Sequence, residues 1–268
     1  MSDPWASGNA YEAYVGRWSA RVAPAFLAWL DVGPGRRWAD IGCGTGILTR
    51  AIVESCAPAS IVGVDPSEGF LAHARSLTND ARASFRLGTA AETGLADDSV
   101  DAVALGLVLN FVPDPAAALA EARRIAVAGA IVGGYVWDYA AGMEFIRAFW
   151  DAAVALDPAA ATHDQAAAFP IAAPGPLARA FADAGFTDVD GRPIEIPTTF
   201  RDFDDLWLPF TGGTGTAPAY LASLQPERRE AIRERLQAEV PIEADGSINL
   251  QARAWAVRGQ TPVEELAR

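Results

Sequence analysis

The residues best suited to chemistry stand in one short run, Asp40-Ile41-Gly42-Cys43-Gly44-Thr45-Gly46. Three glycines at alternate positions let a backbone come close to a ligand, and a helix that starts directly after them offers free N–H groups. A tight strand-to-helix turn would ask for glycine too. Asp65 stands 19 residues beyond Gly46, at the end of the next apolar run, where dinucleotide-type folds place a carboxylate that accepts from both ribose hydroxyls. Asp65-Pro66-Ser67-Glu68 also reads as a helix cap, and both roles can hold.

Other candidates are less direct. Asn110 ends a long apolar run, and Trp137-Asp138-Tyr139 directly follows another, where open α/β sheets bind ligands. The chain has two histidines: His73 sits beside an apolar helical stripe, and His163 lies in Ala-Thr-His-Asp-Gln. Asn110, Asp138 and His163 are therefore the candidate catalytic groups. Phe203, Trp207, Phe210 and Tyr220 flank Gly212-Gly213-Thr214-Gly215-Thr216, a glycine run without a preceding strand or a following lysine. It reads as a hinge beside a lid rather than as a phosphate loop. Cys43 and Cys56 have neither CxxC spacing nor histidines around them, so no metal site is expected.

The elements that must position these residues alternate. Strands are expected at 36–42, 60–65, 83–88, 100–109 and 130–137, with helices at 46–56, 67–78 and 115–125. Asp114 caps the last of these helices, and Pro115 occupies its first position. Apolar strands alternating with helices imply a parallel sheet covered on both faces. Beyond residue 140, helices are expected at 142–156 and 174–185 and strands at 186–200 and 247–260, separated by an insertion with a charged helix at 225–239. The expected division is an N-terminal helical lid at 1–30, a core at 31–200 and 247–262, and a cap at 201–246.

With 268 residues, 51% of them apolar, the chain can bury a sizeable core. Its 21 basic and 34 acidic side chains give a net charge of −13, a field that repels a phosphate backbone, so no nucleic-acid partner is expected. No run approaches the roughly 18 to 20 apolar residues of a membrane span, and the first residues lack a basic segment followed by an apolar one. The expectation is a cytoplasmic protein with no membrane partner; the oligomeric state is open.

With these motifs in place, the chain resembles the class I S-adenosylmethionine-dependent methyltransferases, in particular the group called methyltransferase type 11. Asp40, Gly42, Gly44 and Gly46 match that family's acidic residue and GxGxG, Asp65 matches its acidic end of strand two, and residues 93–115 match its stretch through strand four. The similarity covers about residues 36–137, and the segment 11–18 is similar to the family's N-terminal lid. The resemblance implies a Rossmann-like, mostly parallel seven-stranded sheet with helices on both faces, and S-adenosylmethionine as cofactor. Asp40 would stand near the methionine amino group, Asp65 at the ribose, Pro66 and Phe70 near the adenine, Gly88-Thr89-Ala90-Ala91 around it, and Leu107 beside the methionine moiety. Thr89 and Asn110 replace the aspartate and histidine of many relatives. Tyr14 and Trp18 are expected to close over the cofactor, and Trp18, Asn110, Trp137, Tyr139, Trp207 and Phe210 to hold a small-molecule acceptor.

Two other readings stay open. A non-catalytic binder of the same cofactor has the same motifs. A nicotinamide-dependent oxidoreductase shares the glycine loop and the acid, but Ile47 stands where GxGxxG needs a small residue, and lysine is absent, so no Tyr-x-x-x-Lys pair exists.

Overall fold

A computed structural model describes residues 15–212 and 215–263 of the chain. They gather into two compact units. Of the described residues, the sheet unit holds 19–136, 171–194 and 254–263, while the second unit holds 15–18, 137–170, 195–212 and 215–253.

In the sheet unit the chain runs β1 (Arg37–Ile41), α2 (Ile47–Ser55), β2 (Ser60–Asp65), α3 (Glu68–Leu77), β3 (Ala83–Leu87), β4 (Val100–Gly106), α4 (Pro115–Ile125) and β5 (Ala126–Trp137), preceded by α1 (Arg17–Leu30). With β6 (Thr187–Phe200) and β7 (Ile248–Gln260) they complete a seven-stranded sheet in the order β3-β2-β1-β4-β5-β7-β6. The pairs from β3 to β5 are parallel. Strand β7 runs antiparallel to β5, since Thr261 N–H donates to the Ala130 carbonyl at 3.0 Å while Asp138 N–H donates to that of Arg253 at 2.9 Å. Residues 102–105 of β4 are all buried, which requires cover on both faces, as expected of a Rossmann-like sheet.

Most expected elements stand within a residue or two of their places, and the departures have local causes. Strand β4 stops at Gly106 rather than 109 because Leu107 turns to a φ of +60°. Strand β5 begins at Ala126, where a turn was expected. Gly129, at φ +73°, is absorbed inside the strand as an irregularity, and the register with β4 shifts between Val100 and Ala102. Residues 19–30, expected as part of a lid, belong to the sheet unit. Phe26 meets Tyr135 edge-on at 4.8 Å, and a Cβ on Gly133 would come within 2.5 Å of Leu30, so α1 presses directly on β5. Burying Phe26 and Leu30 contributes about 1.5 to 3 kcal/mol each. The Arg258 guanidinium lies 4.9 Å from the Trp29 ring and donates to the Trp29 carbonyl at 2.7 Å, closing the helix end.

The second unit holds α5 (Glu144–Leu156), a 3₁₀ turn at Pro158–His163, α6 (Gln165–Ala168), α8 (Phe203–Trp207), α9 (Thr216–Ser223) and α10 (Pro226–Glu239), while α7 (Pro174–Asp183) belongs to the sheet unit. The division therefore differs from one at 201 and 247, because α5 and its neighbours gather with the cap helices. Their core is aromatic: Phe149 stacks on Phe210 at 4.6 Å, and Phe145 and Trp18 both meet Phe200, at 5.7 and 5.3 Å.

One buried carboxylate organises the segment between β3 and β4. Glu121 on α4 accepts from the Thr93 N–H at 2.8 Å and hydroxyl at 2.5 Å, and from Arg124, which in turn holds the Leu95 carbonyl and Asp97. The Arg124 guanidinium holds the Glu121 carboxyl down at about 2, with Thr93 helping against the cost of burial. A depressed carboxyl contributes stability above its unfolded value near 4.3, and that contribution is lost as pH falls toward about 2. Glu121→Gln should therefore cost about 2 to 3 kcal/mol at pH 7, a figure discounted for the part-exposed Arg124, and progressively less between about pH 4 and 2. Denaturant titrations of both proteins across that range check it.

Candidate functional site

The glycine turn joins β1 to α2 within the sheet unit, and all three of its alternate glycines lie in the left-handed region, at φ +69°, +52° and +78°. Gly42 is confined: a Cβ there would fall 2.2 Å from Val108. Gly44 is the reverse, since a Cβ there would meet nothing within 4 Å. The first glycine lets the loop after β4 press against the turn, and the second leaves the turn's outer side open. Backbone bonds from the Gly42 and Cys43 N–H groups to the Val64 carbonyl, at 2.7 and 3.1 Å, moor the turn to β2.

Asp65 completes that mooring. One carboxylate oxygen accepts from the Gly44 N–H at 2.9 Å and the other from the Ser67 N–H at 2.9 Å. The helix cap is Ser67 instead, whose hydroxyl accepts from the Phe70 N–H at 3.4 Å. The capping pattern read at Asp65 is thus displaced by two residues, and the carboxylate is left at the sheet's carboxyl edge beside Gly44.

Asp40 is fully buried on β1, and the Thr49 hydroxyl of α2 donates to it at 2.6 Å. Burial pushes its carboxyl up to about 7 against the pull of Thr49, and the charge of Asp65 adds to the rise. Burial likewise pushes the Cys43 thiol upward, which makes it a packing residue rather than a nucleophile. Around the turn, Pro66 is exposed and Phe70 half-buried; Thr89 and Ala91 are exposed and Ala90 is buried. The Thr89 and Glu92 backbones pair with each other and hold this segment in a tight turn. Leu107 is buried with its N–H on the Tyr135 carbonyl at 2.8 Å. A left-handed leucine costs about 1 kcal/mol or more, and such strain gathers where function over-determines a loop.

The structure therefore gathers Asp40, Gly42, Gly44, Gly46, Asp65, Pro66, Phe70, Thr89, Ala90, Ala91, Leu107 and Asn110 in the sheet unit. Trp18, Trp137, Asp138, Tyr139, His163, Trp207 and Phe210 belong to the second. Tyr14 lies outside the described residues.

The three candidate catalytic groups fare differently. Both oxygens of Asp138 are engaged, one by Arg253 at 2.7 and 2.8 Å and the other by the Ala141 N–H at 3.0 Å. That is the setting of a structural ion pair. His163 is exposed, its ring 5.2 Å from Tyr220. Asn110 is buried with neither amide atom hydrogen-bonded. Trp207 and Phe210 are core packing within their own unit, with ring centroids 6.3 Å apart, and Tyr139 meets Phe169 at 5.4 Å. Sequence reasoning missed Thr49, Ser67 and Val108. Thr49 left a signal, a hydroxyl one helical turn inside α2, and Ser67 left one as a capping residue type before α3; Val108 left none.

Residues 39–132 match the family model of the methyltransferase domain. Nocamycin O-methyltransferase of Saccharothrix syringae is 29% identical over 84% of this chain and 85% of its own length. Ubiquinone biosynthesis O-methyltransferase of Hahella chejuensis is 37% identical over 36% of this chain and 41% of its own. Among solved structures, phosphoethanolamine N-methyltransferase 2 of Haemonchus contortus, in complex with S-adenosylhomocysteine, shares the fold. Its TM-score is 0.59 at 17% identity, over 95% of this chain and 56% of that one.

Thr49→Val should push the Asp40 carboxyl still higher than about 7 and cost about 1 kcal/mol, because it removes a donor that favours the ionised form. Carboxyl NMR titration reads the first effect and chemical denaturation the second; an unmoved Asp40 midpoint contradicts the assigned role of Thr49.

Proposed function

We propose, for a chain that belongs to the class I S-adenosylmethionine-dependent methyltransferases, that the methyl group passes to a small organic acceptor by in-line displacement. The observation that carries this reading is the open side of Gly44 next to the Asp65 carboxylate. A carboxylate has about four acceptor positions, so Asp65 can serve the Gly44 and Ser67 N–H groups and a ribose together. Gly44 gives the cofactor's amino-acid tail a surface without side chains, and Pro66, Phe70 and Ala90 supply apolar contact for the adenine. Asp40 stands where an ammonium would favour its ionised form.

The cofactor brings its methyl group already activated on a sulfonium. What remains for the protein is to hold the acceptor in line, which is where positioning supplies most of the rate. The absence of a free carboxylate at Asp138 and of a buried histidine fits that division of labour. A small acceptor agrees with the net charge of −13, which disfavours polyanions, and with the relatives named for ubiquinone and nocamycin. Among the described residues no helix is long and apolar enough to cross a membrane.

Calorimetric titration tests the cofactor: S-adenosylhomocysteine should bind and NAD should not, and the opposite result overturns the proposal. Gly44→Ala should weaken that binding about tenfold or more, or about 1.4 kcal/mol, while the left-handed alanine costs the fold only about 1 kcal/mol. Binding should also depend on pH. With Asp40 protonated below about 7 in the free protein, a ligand that carries an ammonium must release that proton. Its affinity should therefore rise with pH, by at most about tenfold per unit, and level off above about 7. A flat profile from pH 5.5 to 8 would separate Asp40 from the ammonium.

A further inference from the structure

The loop from Leu107 to Asp114 is tied down at several points. Leu107 is tied to β5 through the Tyr135 carbonyl, Val108 leans on Gly42, and the Val108 carbonyl accepts from the Phe111 and Val112 N–H groups at 2.8 and 3.2 Å. Asn110, between the buried Leu109 and the part-exposed Phe111, is the exception: Nδ2 and Oδ1 are both shut off from solvent with no partner. Asparagine in a turn commonly bonds its own backbone, and this one does not. Leaving a buried polar group unmatched is destabilising. Trp38, Thr78, Trp137 and Thr198 each leave one such atom, whereas Asn110 leaves its whole donor and acceptor pair. It does so two residues past Val108, which packs against Gly42 of the glycine turn, on the loop that carries the strained Leu107.

We infer that Asn110 holds the methyl acceptor by two adjacent hydrogen bonds, one donated from Nδ2 and one accepted at Oδ1, and so selects an acceptor with a hydroxyl and a second oxygen next to it. The inference rests on the methyltransferase reading and narrows its acceptor. An amide side by side with such a pair satisfies both groups, while an ammonium or a lone ether satisfies only one. In the transfer, a lone pair of the acceptor oxygen forms the new C–O bond as the C–S bond breaks. That bond's electron pair stays on sulfur as a neutral thioether, and the hydroxyl proton passes to solvent. The amide takes no proton; it fixes the direction of the oxygen.

The test measures radiolabelled methyl transfer from S-adenosylmethionine to catechol, tropolone, phenol and benzylamine, with S-adenosylhomocysteine binding and melting temperature measured in parallel. Catechol and tropolone, which carry vicinal oxygens, should be turned over with kcat/KM about tenfold or more above phenol and benzylamine. Asn110→Ala should raise KM for both about tenfold with cofactor affinity unchanged and the melting temperature kept or raised, since no native bond is lost. Asn110→Asp should separate the probes: a carboxylate accepts from both catechol hydroxyls but faces the tropolone carbonyl with no donor, so catechol is retained and tropolone lost. An unchanged KM in Asn110→Ala, an equal loss of both probes in Asn110→Asp, a fall in melting temperature, or transfer to neither vicinal probe overturns the inference. Failure of S-adenosylhomocysteine to bind the unaltered protein overturns the methyltransferase reading instead.

Discussion

The Asp65 carboxylate ties together the two strand ends on which everything else at the site depends. One oxygen holds the Gly44 N–H of the turn after β1, and the other holds the Ser67 N–H at the start of α3. Neither the turn nor the helix could be shifted without leaving a buried acceptor or donor unmatched. The same group therefore sets where the turn's open side faces. On the proposed reading function and fold would share one side chain here, and its removal would disturb both. An alanine at Asp65 would confound a binding measurement, and Gly44, whose outer side touches nothing, is the cleaner probe.

Around that tie the charges are arranged by depth. Asp65 is met by backbone N–H groups at the sheet edge, while Asp40, deeper on β1, accepts from the Thr49 hydroxyl and is pushed up to about 7. Two carboxylates with unlike environments can hold one charge at the edge and keep a second in reserve, to appear when a cation arrives. Ionising Asp40 without a partner would lower stability between about pH 4 and 7, since a raised carboxyl binds its proton more tightly folded than unfolded. A cationic ligand at the site would offset that cost and couple its occupancy to stability.

Much of this was legible in the sequence. Alternating apolar runs and helical stripes place β1 to β5 and their helices, because buried parallel strands need continuous apolar residues whatever surrounds them. The glycine spacing and Asp65 were readable for the same reason, a backbone requirement that few residues meet. Contacts decided by partners distant in sequence were not readable: Val108 against Gly42, and Asp138 against Arg253. The Asp65 cap was misplaced by two residues because Asp and Ser have the same local chemistry, and only the pull of Gly44 distinguishes them. In the second unit the aromatic residues carried no directional signal. Phe210 stacked on Phe149 and a lid over a ligand require the same side chains at the same spacing.

The fate of the polar candidates shows where a methyl transfer without a strong base would place its selectivity. Asp138 lies in a two-point pair with Arg253, and Gly142 accommodates both, since a Cβ there would fall 2.6 Å from Arg253 and 2.7 Å from Asp138. Breaking such a buried pair costs several kcal/mol, so its carboxylate is held by the fold. His163 is exposed to solvent, where an acceptor would gain little over water. Asn110 has neither commitment, and it cannot ionise at any ordinary pH. A group that can only donate and accept hydrogen bonds discriminates by geometry rather than by proton affinity, and a site that rejects ligands lacking the matching pair does so far more sharply than an apolar pocket judging size. With a donor already activated, as in the proposed reaction, that kind of discrimination would be the part left for the protein to perform.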